Sequence, residues 1–242
     1  MILYVNGDSH TAAAEAVSSC CFAEDDGDYL RLGRRPHPSN LEVSWGLQLA
    51  KLLNWEFYCD AESASSNDRI IRTTQEWIRT NYDKLDRVLM VIQWSTWERE
   101  EWEYGGQTWQ VNASGIDQVP PELQTRYKEF VANVDWKTAT QQAHNKIWHL
   151  HNELKNKKIR HVFFNGNNHF ADQPNHHAWG PEYMHPYMPM LTYDRVLKAN
   201  GFRTVTPKSW HFGPAAHDFW ASYVLQYMHQ HQLLEPDALS VN

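Results

Sequence analysis

Two short stretches at opposite ends of the chain carry the residues best suited to chemistry. Near the beginning, Gly7-Asp8-Ser9 follows a short apolar run typical of a strand and precedes an Ala-rich run typical of a helix. Such a turn presents a serine hydroxyl at a helix N-terminus, where free backbone N–H groups stabilise an oxyanion. Serine becomes a nucleophile only when a base removes its proton. Ser9 is therefore either a nucleophile with a histidine nearby or a plain helix cap.

The second stretch supplies a histidine. His211 precedes Gly213-Pro214 and a run with helical spacing over 214–230, and proline is accepted in the first turn of a helix. A loop before the last helix of a parallel sheet can reach back over the strand ends to the first strand. We therefore expect Ser9 and His211 to meet, whereas His217, inside that helix, has the position of an ordinary core or surface histidine.

The segments between these stretches must position them. Strands separated by helices imply right-handed crossovers and a parallel sheet covered on both faces, with ligands at the carboxyl ends of the strands. Ser9 lies just past such an end. The predicted strands are 2–7, 56–61, 87–93 and 161–166, and the predicted helices are 41–53 with Asn40 as N-cap, 67–82 with Asn67 as N-cap, 138–157 and 214–230.

The length of 242 residues fits one α/β domain over 1–242. Two long insertions, about 94–136 and 167–190, follow strands at the predicted functional edge, and a tail begins at about 232. Long loops in compact domains usually bind ligands. The chain has 12 tryptophans, many in polar surroundings, and we expect some of them to line a cleft, unless they only hold these loops in place.

The composition argues against several functional classes. A net charge of −7 and a pI near 6.0 do not favour nucleic-acid binding. No run of 18 apolar residues and no signal-peptide core is present, which predicts a cytoplasmic protein without membrane contact; a component of a phage particle would have the same signature. Cys20, Cys21 and Cys59 suit free thiols in a reducing compartment.

Three blocks of the sequence resemble a known family. GDSH at 7–10, SSNDRIIRTT at 65–74 and HFGPAAHDFWA at 211–221 resemble the SGNH/GDSL hydrolases, in particular divergent short members from bacteria and phages. The resemblance implies a three-layer α/β/α sandwich with a parallel, flavodoxin-like sheet. It also implies Ser9 as nucleophile and oxyanion donor through its own N–H, His211 as general base, and no cofactor or metal.

The resemblance also implies further oxyanion donors. The second block supplies a glycine N–H in the family, and Ala64 or Ser65 occupies that place here. The third block supplies an asparagine, which does not follow strand 87–93 here. Asn67 is the preferred substitute, with Ser95 and Asn165 as alternatives.

The acidic partner of the histidine is not at its usual place. The family carries an aspartate two or three residues before the histidine, where this chain has Lys208 and Ser209. Three alternatives follow: a backbone carbonyl orients His211, a remote carboxylate does so, or catalysis has been lost. We expect the substrate to contact His10, Trp94, Ser95 and Arg99, the last by bidentate bonds to a carboxylate or phosphate unless it only forms salt bridges.

The expected function is a serine esterase that cleaves an ester of a small molecule or glycan, such as a short acyl group on a carbohydrate. The alternative is a catalytically retired module of the same fold that binds glycans or serves in assembly. A metal enzyme is a weaker alternative, because the spacing of its possible ligands matches neither an H-E-x-x-H helix nor a regular zinc finger. Those residues are His169, Asp172, His176, His177 and His185.

Overall fold

The central sheet is built from short apolar strands, as parallel strands buried on both faces require. The computed structural model describes residues 1–23, 35–113, 119–174 and 176–234. Its strands are β1 (Ile2–Asn6), β2 (Glu56–Cys59), β3 (Val88–Trp94), β4 (Glu100–Tyr104), β5 (Gln107–Val111), β6 (Arg160–Asn165) and β7 (Tyr183–Met184). Five of them pair in parallel in the order β2-β1-β3-β6-β7. This is the flavodoxin-like order, and it confirms the predicted α/β class.

The four predicted strands correspond to β1, β2, β3 and β6. The fifth, β7, lies within the 167–190 insertion and pairs with β6 through Phe163 and Phe164. Two residues are too few to show a strand pattern, so the sequence did not predict it.

The helices flank this sheet. They are α1 (Pro38–Glu42), α2 (Trp45–Leu53), α3 (Asn67–Thr80), α4 (Gln124–Asn133), α5 (Trp136–Asn156), α6 (Tyr193–Ala199) and α7 (Pro214–Gln230). The helix predicted over 41–53 is two helices, because the Ser44 side chain caps the second by accepting from the Leu47 N–H at 3.2 Å. Ser66, not Asn67, caps α3.

Asn40 does not cap a helix by its side chain. Its amide is buried and accepts hydrogen bonds from the N–H groups of Val17 and Ser18, at 2.9 and 2.8 Å. The same amide donates to the carbonyls of Ser18 and Cys20. Asn40 therefore holds residues 17–20, in the loop that follows β1, against α1.

Alternating strand residues separate two hydrophobic layers. Leu3 and Val5 point to the layer formed with α2, α6 and α7. Ile2 and Tyr4 point to the opposite layer, formed with α3 and α5. Helices therefore cover both faces of the sheet, which gives the predicted three-layer α/β/α sandwich.

The described part of the 94–136 insertion has a small hydrophobic core of its own. β4 and β5 form an antiparallel hairpin, and α4 packs against it through a cluster that includes Trp102 and Tyr127. Because the insertion starts at the carboxyl end of β3, the hairpin stands over the edge at which Ser9 lies. Residues 114–118 of this insertion, Asn175 of the other, and 235–242 of the predicted tail are outside the described residues.

Cys20 and Cys59 are free thiols, as the sequence predicts. Among the described residues, no helix combines the length and apolar character needed to cross a membrane.

Candidate active site

Ser9 lies in a turn, and the helix predicted after it does not form. The N–H groups of Thr11 and Ala12 donate to the Asp8 carbonyl, both at 3.0 Å, but the backbone then turns away from a helix. Ala13 and Glu15 have left-handed φ angles of 52° and 61°. A single short Ala-rich helix is marginal on its own, and here contacts of Glu15 and Asn40 with distant residues determine a different path.

The Asp8 carboxylate holds the two neighbouring strand ends together. It accepts hydrogen bonds from Gln93 Nε2 at 2.8 Å, from Ser95 Oγ at 3.0 Å and from Arg99 Nη1 at 3.2 Å. It also accepts from the His10 N–H. Burial alone would raise the pKa of this carboxyl, but the charges of His10 and Arg99 and the hydrogen bonds hold the pKa below its usual range. Asp8 is thus a structural anion directly before Ser9.

His211 is oriented by a carboxylate from the Ser9 turn. Its Nδ1 lies 2.7 Å from Oε2 of Glu15. The same carboxylate oxygen accepts from Ser209 Oγ at 2.6 Å, and Ser209 Oγ accepts from the His211 N–H at 3.0 Å. These hydrogen bonds from Ser209 and His211 lower the pKa of Glu15. With Nδ1 occupied, the Nε2 atom of His211 is the ring nitrogen left for a proton transfer.

Three possibilities were open for the group that orients His211. The structure places a remote carboxylate, that of Glu15, on His211 Nδ1. Glu15 was not predicted by name. The only local signal is an isolated acidic residue in an Ala-rich run, six positions after Ser9. The contact itself joins residues 196 positions apart, which no spacing rule covers.

Ser9 and His211 line the same cavity, which has a volume of about 740 Å³. Three further residues that the sequence analysis names as site candidates, His10, Ala64 and Arg99, line it too. Aromatic side chains of Phe22, Trp109 and Trp210 form part of its walls. Trp210 is 74 % exposed. Two of the tryptophans therefore line a cleft, as the sequence analysis expects for some of them.

Ala64 has the backbone conformation for which glycine is usually needed. Its φ is 70°, in the left-handed region where a side chain is strained. The neighbouring Ser65 N–H is already donated to the Glu62 carbonyl at 3.1 Å. Of the two predicted backbone donors, Ala64 is therefore the one in the cavity wall.

Four predicted site residues do not line this cavity. Trp94 is fully buried and packs edge-on against Phe163, with ring centroids 5.0 Å apart, so it belongs to the core. Ser95 Oγ is committed to Asp8, and Ser65 Oγ accepts from Arg69 at 3.2 Å. The fourth is Asn67, whose side chain is occupied by the backbone of 95–96.

Three more polar residues near the strand ends and the last helix have structural partners. Asn165 is buried and accepts from the Tyr183 hydroxyl, away from the Ser9 cavity. His217 is a core residue whose Nδ1 accepts from the Trp45 N–H at 3.2 Å. Arg69 forms a buried salt bridge with Glu62 at 2.6 Å.

His10 is a neutral neighbour of His211 at neutral pH. Its ring lies 5.4 Å from the His211 ring, centroid to centroid. Burial lowers the pKa of His10 to about 4, although the Asp8 charge opposes this. A neutral ring beside the proposed base adds no competing positive charge.

Three histidines of the 167–190 insertion make aromatic contacts: His176 stacks on Tyr187, His185 lies edge-on to Tyr227, and His177 stacks on α5. His177 stacks between His144 and Trp148, with centroid distances of 4.3 and 4.4 Å. Among the described residues, no group of three or more His, Cys, Asp or Glu side chains is arranged to hold a metal ion. These rings are accounted for by packing.

Comparison with solved structures finds distant likenesses. A carbohydrate esterase has 14% identity and a TM-score of 0.40, and the match covers 95% of this chain and 64% of that one. An acetyl xylan esterase from the rumen bacterium Butyrivibrio proteoclasticus has 11% identity and a TM-score of 0.43, with 95% and 63% covered. This chain thus spans under two thirds of the length of both.

A third similar structure is described as a lipolytic protein of the G-D-S-L family from Desulfitobacterium hafniense DCB-2. It has 12% identity and a TM-score of 0.36, and 93% of this chain and 98% of that one are covered. At these values no function follows from the likeness.

Sequence comparison gives a clearer assignment. No curated protein matches the chain. A model of the family of unknown function DUF6071 matches residues 30–162, which is more than half of the 242 residues. Ser9 and His211 lie outside the matched part. The chain belongs to the family of unknown function DUF6071.

Proposed function

We propose that this protein is a serine esterase with Ser9 as nucleophile and His211 as general base. The observation that carries the proposal is the 2.7 Å contact between His211 Nδ1 and Glu15, in a cavity that Ser9 and His211 both line. A histidine with a carboxylate on one ring nitrogen, near a serine at a strand end, is the arrangement that activates a hydroxyl.

The reaction follows from these groups. Ser9 Oγ attacks the ester carbonyl while His211 Nε2 takes its proton, and the Glu15 carboxylate stabilises the resulting imidazolium through Nδ1–H. The carbonyl electron pair moves to the oxygen, where the N–H groups of Ser9 and Ala64 donate to it. The alcohol then leaves with the proton from His211, and water releases the acyl group from Ser9 by the same steps.

A short acyl group on a carbohydrate is the substrate class that the cavity lining favours. Trp109 and Trp210 provide aromatic faces on which a sugar ring can stack. Glu98 and Arg99, which also line the cavity, provide an acceptor and a donor for sugar hydroxyls. The volume of about 740 Å³ accommodates a ligand larger than a simple acetate ester.

The test is mass spectrometry after incubation with a fluorophosphonate. We expect one adduct, on Ser9, that disappears in Ser9→Ala and forms far more slowly in His211→Ala. Ser222→Ala, at an exposed serine of α7, is the matched control and should label like the wild type. A folded wild-type protein without an adduct would overturn the proposal and favour a module that binds glycans without hydrolysing them.

A further inference from the structure

The ends of β1 and β3 are joined side by side. The two strands are direct neighbours, with Asn6 opposite Ile92, so the residues that follow them leave the sheet together. Asp8 and Ser95 are linked at 3.0 Å, and Thr11 Oγ1 donates to Gln93 Oε1 at 2.8 Å. Ser9 directly follows Asp8 in the sequence, and Thr96 directly follows Ser95.

Thr96 has a hydroxyl that the protein itself does not use. Its Oγ1 is buried and has no hydrogen-bond partner among the described residues. Thr96 nevertheless lines the cavity with Ser9, Ala64 and His211. Buried side-chain oxygens normally have a partner, so a hydroxyl left free at this place indicates an interaction with a bound ligand.

The backbone that carries Thr96 is fixed by Asn67. The Asn67 Oδ1 atom accepts from the Ser95 N–H at 2.9 Å, and Nδ2 donates to the carbonyls of Ser95 and Thr96 at 3.3 and 3.4 Å. Asn67 is buried at the start of α3. A buried amide with three bonds to one turn holds that turn in a single conformation, which a donor to a developing charge requires.

We propose that the Thr96 hydroxyl is a third oxyanion donor of the esterase and that Asn67 is its positioning residue. This inference rests on the proposed function. When the Ser9 Oγ–carbon bond forms and the carbonyl π pair moves to the oxygen, Thr96 Oγ–H donates to that oxygen beside the N–H groups of Ser9 and Ala64. This role requires a rotation about χ1 of Thr96 that brings the buried Oγ1 atom to the cavity. The sequence predicts Asn67 as an oxyanion donor. In this proposal, Asn67 instead holds the turn that carries the donor Thr96.

The experiment compares Thr96→Val, which keeps the shape of the side chain, with Thr96→Ser, which keeps the hydroxyl. We expect Thr96→Val to lower kcat for 4-nitrophenyl acetate by about 10- to 1000-fold with little change in KM, because the lost bond exists only in the transition state. The rate of fluorophosphonate labelling of Ser9 should fall in parallel. Thr96→Ser should retain most of the activity, and Thr125→Val, on the exposed surface of α4, should match the wild type.

Asn67→Asp provides a second variant that does not touch the hydroxyl. It keeps the acceptor for the Ser95 N–H and removes the two donated bonds, so kcat should fall less than in Thr96→Val. Full kcat in Thr96→Val, with Ser9 still labelled, would overturn this inference and leave the proposed esterase intact. A wild-type Ser9 that is never labelled would instead overturn the esterase and this inference with it.

Discussion

Oε2 of Glu15 lies 2.7 Å from Nδ1 of His211, so the turn that carries the proposed nucleophile also carries the carboxylate that orients the proposed base. Ser209, at the position where the resembling family has its acid, donates its hydroxyl to the same Glu15 oxygen. In the proposed site, the acid therefore lies on the serine loop instead of the histidine loop.

The first prediction concerns Glu15 itself. Glu15→Gln keeps the size of the side chain but removes the negative charge that stabilises the His211 imidazolium. We expect kcat for 4-nitrophenyl acetate to fall on the order of 10²- to 10⁴-fold, with folding unchanged by circular dichroism. Glu42→Gln, at an exposed glutamate on α1, is the matched control. Equal activity of the two variants would exclude Glu15 from the proton transfer.

A second prediction moves the acid back to the histidine loop. In Glu15→Ala combined with Ser209→Asp, the new carboxylate starts from the residue whose Oγ already accepts from the His211 N–H. We expect the double variant to recover at least about tenfold of the activity lost in Glu15→Ala, since orientation of Nδ1 is restored. Steady-state kinetics of both variants and of Ser209→Asp alone provide the comparison. No recovery would contradict the expectation that a carboxylate at position 209 can orient Nδ1 of His211.

The third prediction concerns stability and pH. Burial lowers the pKa of His217 to about 3, whereas an unfolded histidine titrates near 6.5. As the pH falls from 7 to 5, the unfolded chain gains a proton at this residue that the folded chain does not accept. His217 should therefore reduce the free energy of unfolding by about 2 kcal/mol over that interval.

His217→Gln, measured by chemical denaturation at both pH values, should show a smaller loss between pH 7 and pH 5 than the wild type. Exposed His229→Gln is the matched control. An identical loss in His217→Gln and wild type would contradict the buried, neutral state of this ring.

A fourth prediction tests the strained backbone at Ala64. Because φ is 70°, Ala64→Gly should raise the free energy of unfolding by up to about 1 kcal/mol and keep the N–H in the cavity wall. Activity should be retained. Ala132→Gly, on the exposed surface of α4, should instead destabilise the protein. A loss of stability in Ala64→Gly would show that the left-handed conformation carries no strain.

A fifth prediction concerns the close approach at Gly7. A Cβ at this position would lie 2.2 Å from Thr11 Oγ1 and 3.1 Å from Gln93 Cβ, so Gly7→Ala must displace the Thr11–Gln93 hydrogen bond. We expect a loss of about 1 to 3 kcal/mol in the free energy of unfolding and a misplaced Ser9. Gly213→Ala, where the nearest atom is 3.8 Å away, should be tolerated. Thermal unfolding of both variants distinguishes the two outcomes.

The sheet could be predicted because its signal is local. β1, β2, β3 and β6 are runs of apolar residues separated by amphipathic segments, and this alternation is sufficient for a parallel sheet between two helical layers. The position of Ser9 at a strand end follows from the same pattern. β7 was missed because it has two residues, and its pairing depends on the path of the insertion.

The site could be predicted only in part, because several of its contacts are not local. An Ala-rich run favours a helix by propensity, yet the bond from Glu15 to His211 and the bonds from Asn40 to Val17 and Ser18 fix a turned path instead. The helix propensity of the Ala-rich run is outweighed by such tertiary contacts. Likewise Asn67 was correctly placed near the strand ends, but its partners in the 95–96 turn depend on side-chain directions that spacing does not determine.

Since Ser9 and Glu15 belong to one turned segment, the proposed nucleophile and acid meet the proposed base through the docking of the 204–213 loop. Within that loop the Val205 N–H donates to the His211 carbonyl at 2.9 Å. The loop leads directly into α7, whose Trp220 and Val224 are buried in one hydrophobic layer. The proposed activity therefore depends on the docking of residues 204–230 more directly than the structure of the sheet does. On gradual heating, the proposed esterase activity should be lost at a lower temperature than the far-ultraviolet circular dichroism signal. Loss of activity would then report undocking of the loop before the sheet unfolds.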